Sequence, residues 1–288
     1  MSKVSNKVCV VTGAGSGIGR ELALELARRG ARAVAISDVN DAGLSETARL
    51  IEAEVPSALV HEQHLDVSDR DAFIAYGETI AAEFGVVHQI YNNAGIASGK
   101  TVLDASFLVY DKVIGINLFG VIHGTKVFLP HLIASGDGHV INVSSLNGYF
   151  AQPKLAAYVT TKFGVRGFTE TLRTEMLAAR APVRVSVVHP GGVRTRIASS
   201  AMRTAEELGL PVTAEDRARE RLYNERLLRM APERAASIIV DGVEHGRARI
   251  RVGNDARLID LLVRAAPSTA PRLAVLLDRL AASQLRDR

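Results

Sequence analysis

The sequence predicts an α/β fold of the Rossmann type, a doubly wound parallel sheet, in a single domain with a helical C-terminal extension. Three observations carry that prediction. Short apolar runs alternate with stretches of helical periodicity from residue 7 to residue 252, the order that builds βαβ units and a parallel sheet. The runs are continuous rather than alternating, as when helices cover both faces of a sheet. A glycine-rich turn, Thr12-Gly13-Ala14-Gly15-Ser16-Gly17-Ile18-Gly19, separates the first run from the first helical stretch.

The elements follow in order. Strands are expected at 7–12, 32–37, 58–65, 88–91, 139–143, 183–188 and 249–252. The first helix, 17–29, carries Leu22 and Leu26 on one face and stops at Gly30. Further helices are expected up to about residue 54, then at 69–84, 104–134, 154–179 and 231–244. No Pro/Gly/Ser-rich linker and no internal repeat divides the chain. Residues 1–254 therefore read as one dinucleotide-binding and catalytic domain. Residues 194–228 are long, polar and charged, and follow a strand, which makes them a candidate lid. Residues 255–288 add two helical pieces, 257–265 and 272–282, split by Pro267 and Pro271.

Composition excludes several function classes. The chain has 288 residues, 47% hydrophobic and 23% charged, enough to bury a sizeable core. Its 35 basic residues are offset by 31 acidic ones, there is no dense Lys/Arg run, and there is no Trp, so nucleic-acid binding is not expected. The single cysteine, Cys9, rules out an intramolecular disulfide and lies in an apolar run, the place of a buried structural thiol. The N-terminus lacks a signal-peptide layout and no apolar run approaches the ~20 residues of a membrane span, so a cytoplasmic location is expected. Eight histidines show no metal-ligand spacing, and no metal is expected.

The strand–turn–helix context gives the glycines a physical reading. They allow a tight turn and let the backbone approach a phosphate, while the helix N-terminus offers free N–H groups to a pyrophosphate. Gly13 and Gly17 make the turn, Gly19 permits close helix packing, and Gly15 is extra. Asp38 stands 19 residues beyond Gly19, at the end of the second strand. A carboxylate there accepts hydrogen bonds from a ribose 2′-hydroxyl and repels a 2′-phosphate, which favours NAD over NADP. Asp66, after the third strand, reads equally as a partner for the adenine amino group or as the first residue of a loop. Tyr158 and Lys162 stand four apart on an expected helix and share a face. A nearby ammonium stabilises a phenolate, which is what a catalytic tyrosine needs, although Tyr-x-x-x-Lys alone is common on surface helices.

Six motifs, in order, make the chain resemble the short-chain dehydrogenase/reductase family in its ordinary-length branch. These are Thr12-Gly13-x-x-x-Gly17-Ile18-Gly19, Asn92-Asn93-Ala94-Gly95, Asn117, Ser145 thirteen residues before Tyr158, Tyr158-x-x-x-Lys162, and Pro190-Gly191-Gly192-Val193-Arg194-Thr195. The resemblance covers residues 7–252. It implies that Tyr158 exchanges a proton with the substrate oxygen as hydride moves to or from the nicotinamide. It implies that Ser145 orients that oxygen and that Lys162 tunes Tyr158 and binds the nicotinamide ribose. Asn117 is implied to hold a water near Lys162 through its main-chain carbonyl, at a local helix break. Ser144 is the minor alternative to Ser145 and is expected to point the other way. The implied cofactor set is Gly13, Gly15, Ser16, Gly17, Ile18 and Gly19 in the turn, then Asp38, Asp66, Val67, Asn93, Ala94 and Gly95. Tyr158, Lys162, Pro190, Gly191, Val193 and Thr195 complete it, with the Val193 N–H and the Thr195 hydroxyl fixing the carboxamide. His189, before Pro190, is a departure read as a packed strand-end residue.

The lid candidate 194–228 and the turn Leu146, Asn147, Gly148, Tyr149 and Phe150 are expected to shape the substrate pocket, and Tyr149, Phe150 and Leu155 point to a hydrophobic alcohol or ketone, such as a steroid, retinoid, fatty or terpenoid compound. Small diols and acetoin-like ketols stay open. A catalytically idle NAD-binding protein and an epimerase-type relative are the other classes, and the intact Ser145, Tyr158 and Lys162 argue against the first. The tail leucines recur at helical spacing, with six arginines against three aspartates in 257–288. The expectation is a tail packed on the body or on a partner subunit rather than a membrane anchor. The resemblance implies a homodimer or homotetramer.

Overall fold

In the computed structural model, which describes residues 2–222, 224 and 228–286, each apolar run becomes a parallel strand. The strands are β1 (Val8–Thr12), β2 (Ala33–Asp38), β3 (Leu59–His64), β4 (Gln89–Asn92), β5 (Gly138–Val143), β6 (Val183–Pro190) and β7 (Arg249–Val252). They form one parallel sheet in the order β3-β2-β1-β4-β5-β6-β7. The helices between them are α1 (Gly17–Arg28), α2 (Asp41–Glu54), α3 (Arg70–Phe84), α4 (Phe107–Ile114), α5 (Gly120–Ala134), α6 (Ala156–Ala178) and α9 (Pro232–Glu244). Two more, α7 (Ile197–Glu207) and α8 (Ala214–Leu222), follow β6, and α10 (Asn254–Ala265) and α11 (Ala270–Arg286) form the extension. Residues 223 and 225–227 of the expected lid and 287–288 of the tail lie outside the described residues.

The period-2 geometry of a strand splits the core into two layers. From β1, Cys9 and Val11 face one layer, with Leu22 and Leu26 of α1, Ile51 of α2 and Ile239 of α9. Val8 and Val10 face the other, with Phe73 and Tyr76 of α3, Phe128 of α5 and Leu172 of α6. Cys9 is fully buried and free, and burial pushes its thiol pKa up, so it is a structural residue.

Two elements depart from expectation. The run at 58–65 is not buried on both faces: β3 is a sheet edge whose residues are half-buried or exposed, which explains its polar His61, Glu62 and Gln63. The helix expected over 104–134 starts at Phe107 and is interrupted by a π turn, Gly115–Phe119, that separates α4 from α5. The stretch Phe107–Ala134 is long and apolar enough to cross a membrane by composition alone. Here it is a core helix, with Val113, Phe128 and Leu132 fully buried. The tail helices begin earlier than expected, at Asn254 and Ala270, with Pro271 in the first turn of α11, where a missing N–H costs nothing.

Candidate active site

The sheet order reverses between β1 and β4, because α1 returns to one face and α5 to the other. That leaves a crevice at the carboxyl ends of these strands. The glycine turn occupies it. Gly13 and Gly17 have φ of 67° and 56°, a backbone region that side chains disfavour. A Cβ on Gly13 would lie 2.7 Å from Ala94 Cα, and one on Gly19 would lie 2.0 Å from the Gly13 carbonyl oxygen. Ser16 precedes α1 but makes no side-chain capping bond, so the first N–H groups of the helix have no side-chain acceptor. Such an end suits a phosphate.

The neighbours of the turn hold it in place. Asn93 Nδ2 donates to the Thr12 and Gly13 carbonyls at 3.0 and 3.2 Å, and the N–H groups of Asn93 and Ala94 donate to Thr12 Oγ1 at 3.1 and 3.2 Å. Asp38 accepts from the Gly15 N–H at 2.8 Å and from the Asn40 N–H at 2.9 Å. Its carboxylate therefore lies against the turn. Arg20, which sequence reasoning passed over, donates to the Gly15 and Gly43 carbonyls at 2.8 and 3.0 Å and so braces the turn against α2. Asp66 makes a local turn: its Oδ1 accepts from the Ser68 N–H at 2.9 Å and from the Ser68 hydroxyl at 2.6 Å. Val67 is buried and its carbonyl accepts from His123 Nδ1 at 3.0 Å.

The four expected catalytic side chains converge. Ser145 leaves β5 with its hydroxyl accepting from the Asn147 N–H at 3.1 Å and hydrogen-bonded to Tyr158. Ser144 points the other way and donates to the Lys162 carbonyl at 2.8 Å. Lys162 is buried; its Nζ lies 5.6 Å from the Tyr158 ring centroid and donates to the Val143 carbonyl at 3.1 Å. Asn117 sits fully buried in the π turn. Its Oδ1 accepts from the Ile96 N–H, and its Nδ2 donates to the Ile96 carbonyl, each at 2.8 Å. A Cβ on Gly95 would come within 3.2 Å of Asn117 Oδ1 and 3.5 Å of Lys162 Nζ, so this chain segment passes closely over the pair.

The electrostatics differ from the expectation. Desolvation raises the Tyr158 pKa, opposed by the Ser145 hydrogen bond, and desolvation lowers Lys162 to about 8. Burial is the leading cause of both shifts. The segment after β6 also differs in detail. The Val193 N–H donates to the Gly191 carbonyl at 2.9 Å, closing a tight turn, and the Gly192 N–H donates to Asp255 at 2.7 Å. Thr195 comes within 3.2 Å of the Cβ position of Gly17, which brings the end of β6 over the glycine turn. Pro190 ends β6, and the Gly191 N–H is held by the Val252 carbonyl.

A cavity of about 340 Å³ opens beside Ser145 and Tyr158, of the size that takes a small-molecule ligand. Its apolar wall includes Val109, Leu155, Ile197, Met202, Leu210 and Ile259, and Lys100, Asp216 and Arg219 contribute charge. Helices α7 and α8 of the expected lid supply much of the wall. Tyr149 and Phe150 do not line it. They turn away and pack against Ala274 and Leu273 of α11, because the extension offers them an apolar partner. Sequence reasoning missed Asp255, Ile259 and Lys100. Asp255 left one signal, a carboxylate in the first turn of a helix just after the last strand.

His189 is buried beside the site. Its Nδ1 donates to the Ser145 carbonyl at 2.7 Å, and its ring lies 4.8 Å from that of Tyr149. It is the packed strand-end residue that was expected, and it also pins the backbone of Ser145.

The described residues contain no cluster of three or more His, Cys, Asp or Glu that could hold a metal ion. The short chain dehydrogenase family matches residues 7–206. SadH of Mycobacterium tuberculosis is 47% identical over 273 residues, 95% of each chain. A short chain dehydrogenase/reductase from Burkholderia phymatum, solved in complex with NAD, superposes with a TM-score of 0.86 at 27% identity, over 94% of this chain and 97% of that one. An alcohol dehydrogenase from Thermococcus sibiricus, complexed with 5-hydroxy-NADP, superposes with a TM-score of 0.69 at 26% identity, over 85% of this chain and 94% of that one.

Burial holds the His189 pKa down at about 4, against ~6.5 for an unfolded histidine. Between those values the unfolded chain binds a proton that the folded chain does not. The stability contributed by neutral His189 is complete above pH ~6.5 and is lost as pH falls toward 4, at ~1.4 kcal/mol per pH unit. Fully buried His139, held at about 3 by burial, acts with the same sign. In urea unfolding, His189→Asn should therefore reduce, without abolishing, the fall in midpoint between pH 6.5 and 4.5. An unchanged slope would locate the acid sensitivity elsewhere.

Proposed function

Because the chain belongs to the short-chain dehydrogenase/reductase family, we propose that it moves a hydride between a nicotinamide cofactor and a secondary alcohol or ketone, with Tyr158 as general acid and base. The supporting observation is that Ser145 and Tyr158, hydrogen-bonded to each other, line one wall of an apolar cavity, with buried Lys162 directly behind the Tyr158 ring. In reduction the Tyr158 hydroxyl gives its proton to the substrate oxygen, while the Ser145 hydroxyl holds that oxygen in place. In oxidation the phenolate takes the proton back. Buried Lys162, at about 8, exchanges protons near neutral pH and replenishes Tyr158. Asn117 opens the helix at the π turn so that a main-chain carbonyl takes a water beside Lys162. His189 and the Asn147 N–H position Ser145 from behind.

The residues fit a dinucleotide. The uncapped α1 N-terminus suits its pyrophosphate, Gly13 and Gly17 with positive φ make the tight turn that leads into it, and Asp38 at the end of β2 suits a ribose hydroxyl. When bound, the cofactor supplies or accepts the hydride. The Asp38 carboxylate, held by two backbone N–H groups, with the nearby Arg20 engaged by two carbonyls, favours NAD over NADP. The apolar cavity wall favours a large hydrophobic alcohol or ketone over a small polyol. Exposed Phe107, Phe119 and Phe163, on and between the helices of the 104–134 and 154–179 stretches, support a homodimer or homotetramer.

A panel of secondary alcohols, assayed with NAD and NADP side by side, tests this reading. Turnover should be best with large apolar substrates and NAD; good turnover confined to small polyols would refute the substrate class. Tyr158→Phe should lower turnover by ~10²–10⁴-fold while cofactor binding, followed by fluorescence titration, is kept. Because burial raises the Tyr158 pKa, oxidation should climb and reduction decline as pH rises into the alkaline range. Asp38→Arg should shift preference toward NADP, and unchanged selectivity would mean that the nucleotide is read elsewhere. Light scattering should give a mass of two or four chains; a single-chain mass would remove the oligomer.

A further inference from the structure

The extension has two unlike faces. Its inner face is anchored. Asp260 is 2% exposed and lies 3.4 and 3.0 Å from Arg249 and Arg251 of β7. Ile259, Val263, Leu273 and Ala274 pack with Tyr149 and Phe150, and the Tyr149 hydroxyl donates to the Ala256 carbonyl at 2.6 Å. Its outer face is apolar and open. Leu258, Leu261, Leu276 and Leu280 are 58%, 63%, 54% and 53% exposed.

The charges sort the same way. The aspartates of the described extension face inward: Asp255 accepts from Gly192, Asp260 pairs with Arg249 and Arg251, and Asp278 pairs with Arg219 of α8 at 2.8 Å. The outward charges are the arginines Arg257, Arg264, Arg272 and Arg279, all exposed. Even Arg264, 3.9 Å from Asp260, keeps 68% of its side chain exposed. Leucines beside arginines, with no carboxylate among them on the described outer face, make a surface that a second copy of itself would repel and an anionic one would attract.

We propose that the outer faces of α10 and α11 dock on an anionic phospholipid surface. The leucines enter the boundary between headgroups and acyl chains, and the arginines meet lipid phosphates. The extension also walls the substrate cavity, through Ile259 and Asp255. Docking therefore places one wall of the cavity at the bilayer, where an apolar alcohol or ketone is dissolved. That consequence rests on the oxidoreductase reading above; the docking itself rests on the two faces alone.

Sedimentation of the full chain with vesicles tests the docking without any turnover measurement. The probes are phosphatidylcholine vesicles with and without phosphatidylglycerol. The chain should sediment with the anionic vesicles, weakly or not at all with the neutral ones, and less at about 0.5 M salt, where charges act over only a few ångströms. Combining Leu258→Ser, Leu261→Ser, Leu276→Ser and Leu280→Ser should lower partitioning at least ~10-fold. Combining Arg257→Gln, Arg264→Gln, Arg272→Gln and Arg279→Gln should do likewise. Turnover of a water-soluble secondary alcohol should be unchanged by the leucine set, whose side chains stand outside the cavity. Equal sedimentation with neutral vesicles, or binding that survives the leucine set, would overturn the proposal. So would a leucine set that lowers the mass by light scattering, which would show that a second copy covers this face.

Discussion

The close approach of β1 and β4 at their carboxyl ends is the constraint on which the site depends. Helices leave these two strands toward opposite faces, and a crevice opens between them. Asn93 and Thr12 bridge it with four hydrogen bonds, and the glycine turn fits only because Gly13 and Gly19 have no Cβ. The other site residues come from the same edge of the sheet: Asp38 from β2, Ser145 just past β5 and Pro190 from β6. A parallel sheet aligns all these ends in one direction, so residues more than 150 positions apart reach a common volume.

Burial sets the chemistry of that volume more than pairwise charge does. Tyr158 and Lys162 share a helical face, yet the main influence on each is loss of water, which favours the neutral phenol and the neutral amine. Their geometry is maintained from behind. Asn117 is locked by two bonds to Ile96, Ser145 by Asn147 and His189, and the turn after Ser145 by the Tyr149–Ala256 bond. The extension is thus part of the site's support, although it lies beyond the last strand.

Much of this was legible from local pattern. The apolar runs and the helical periodicity located the strands and most of the helices. The glycine spacing located the turn, and the thirteen-residue interval from Ser145 to Tyr158 selected the serine that faces the tyrosine over Ser144, which faces away. These features are legible because backbone conformation, periodicity and steric need are written in neighbouring residues. What was misread depends on partners distant in the chain. Tyr149 and Phe150 looked like pocket residues and pack against Leu273 and Ala274 of the extension instead.

The amino-acid order alone indicated the sheet, its glycine turn and which serine and lysine stand beside Tyr158, since each is a local consequence of residue type and spacing. Three-dimensional packing settled the rest: which apolar side chains line the cavity, how far desolvation moves Tyr158 and Lys162, and which face of α10 and α11 remains open. Those properties depend on what covers each group, and burial is a relation between segments that no single stretch of chain contains.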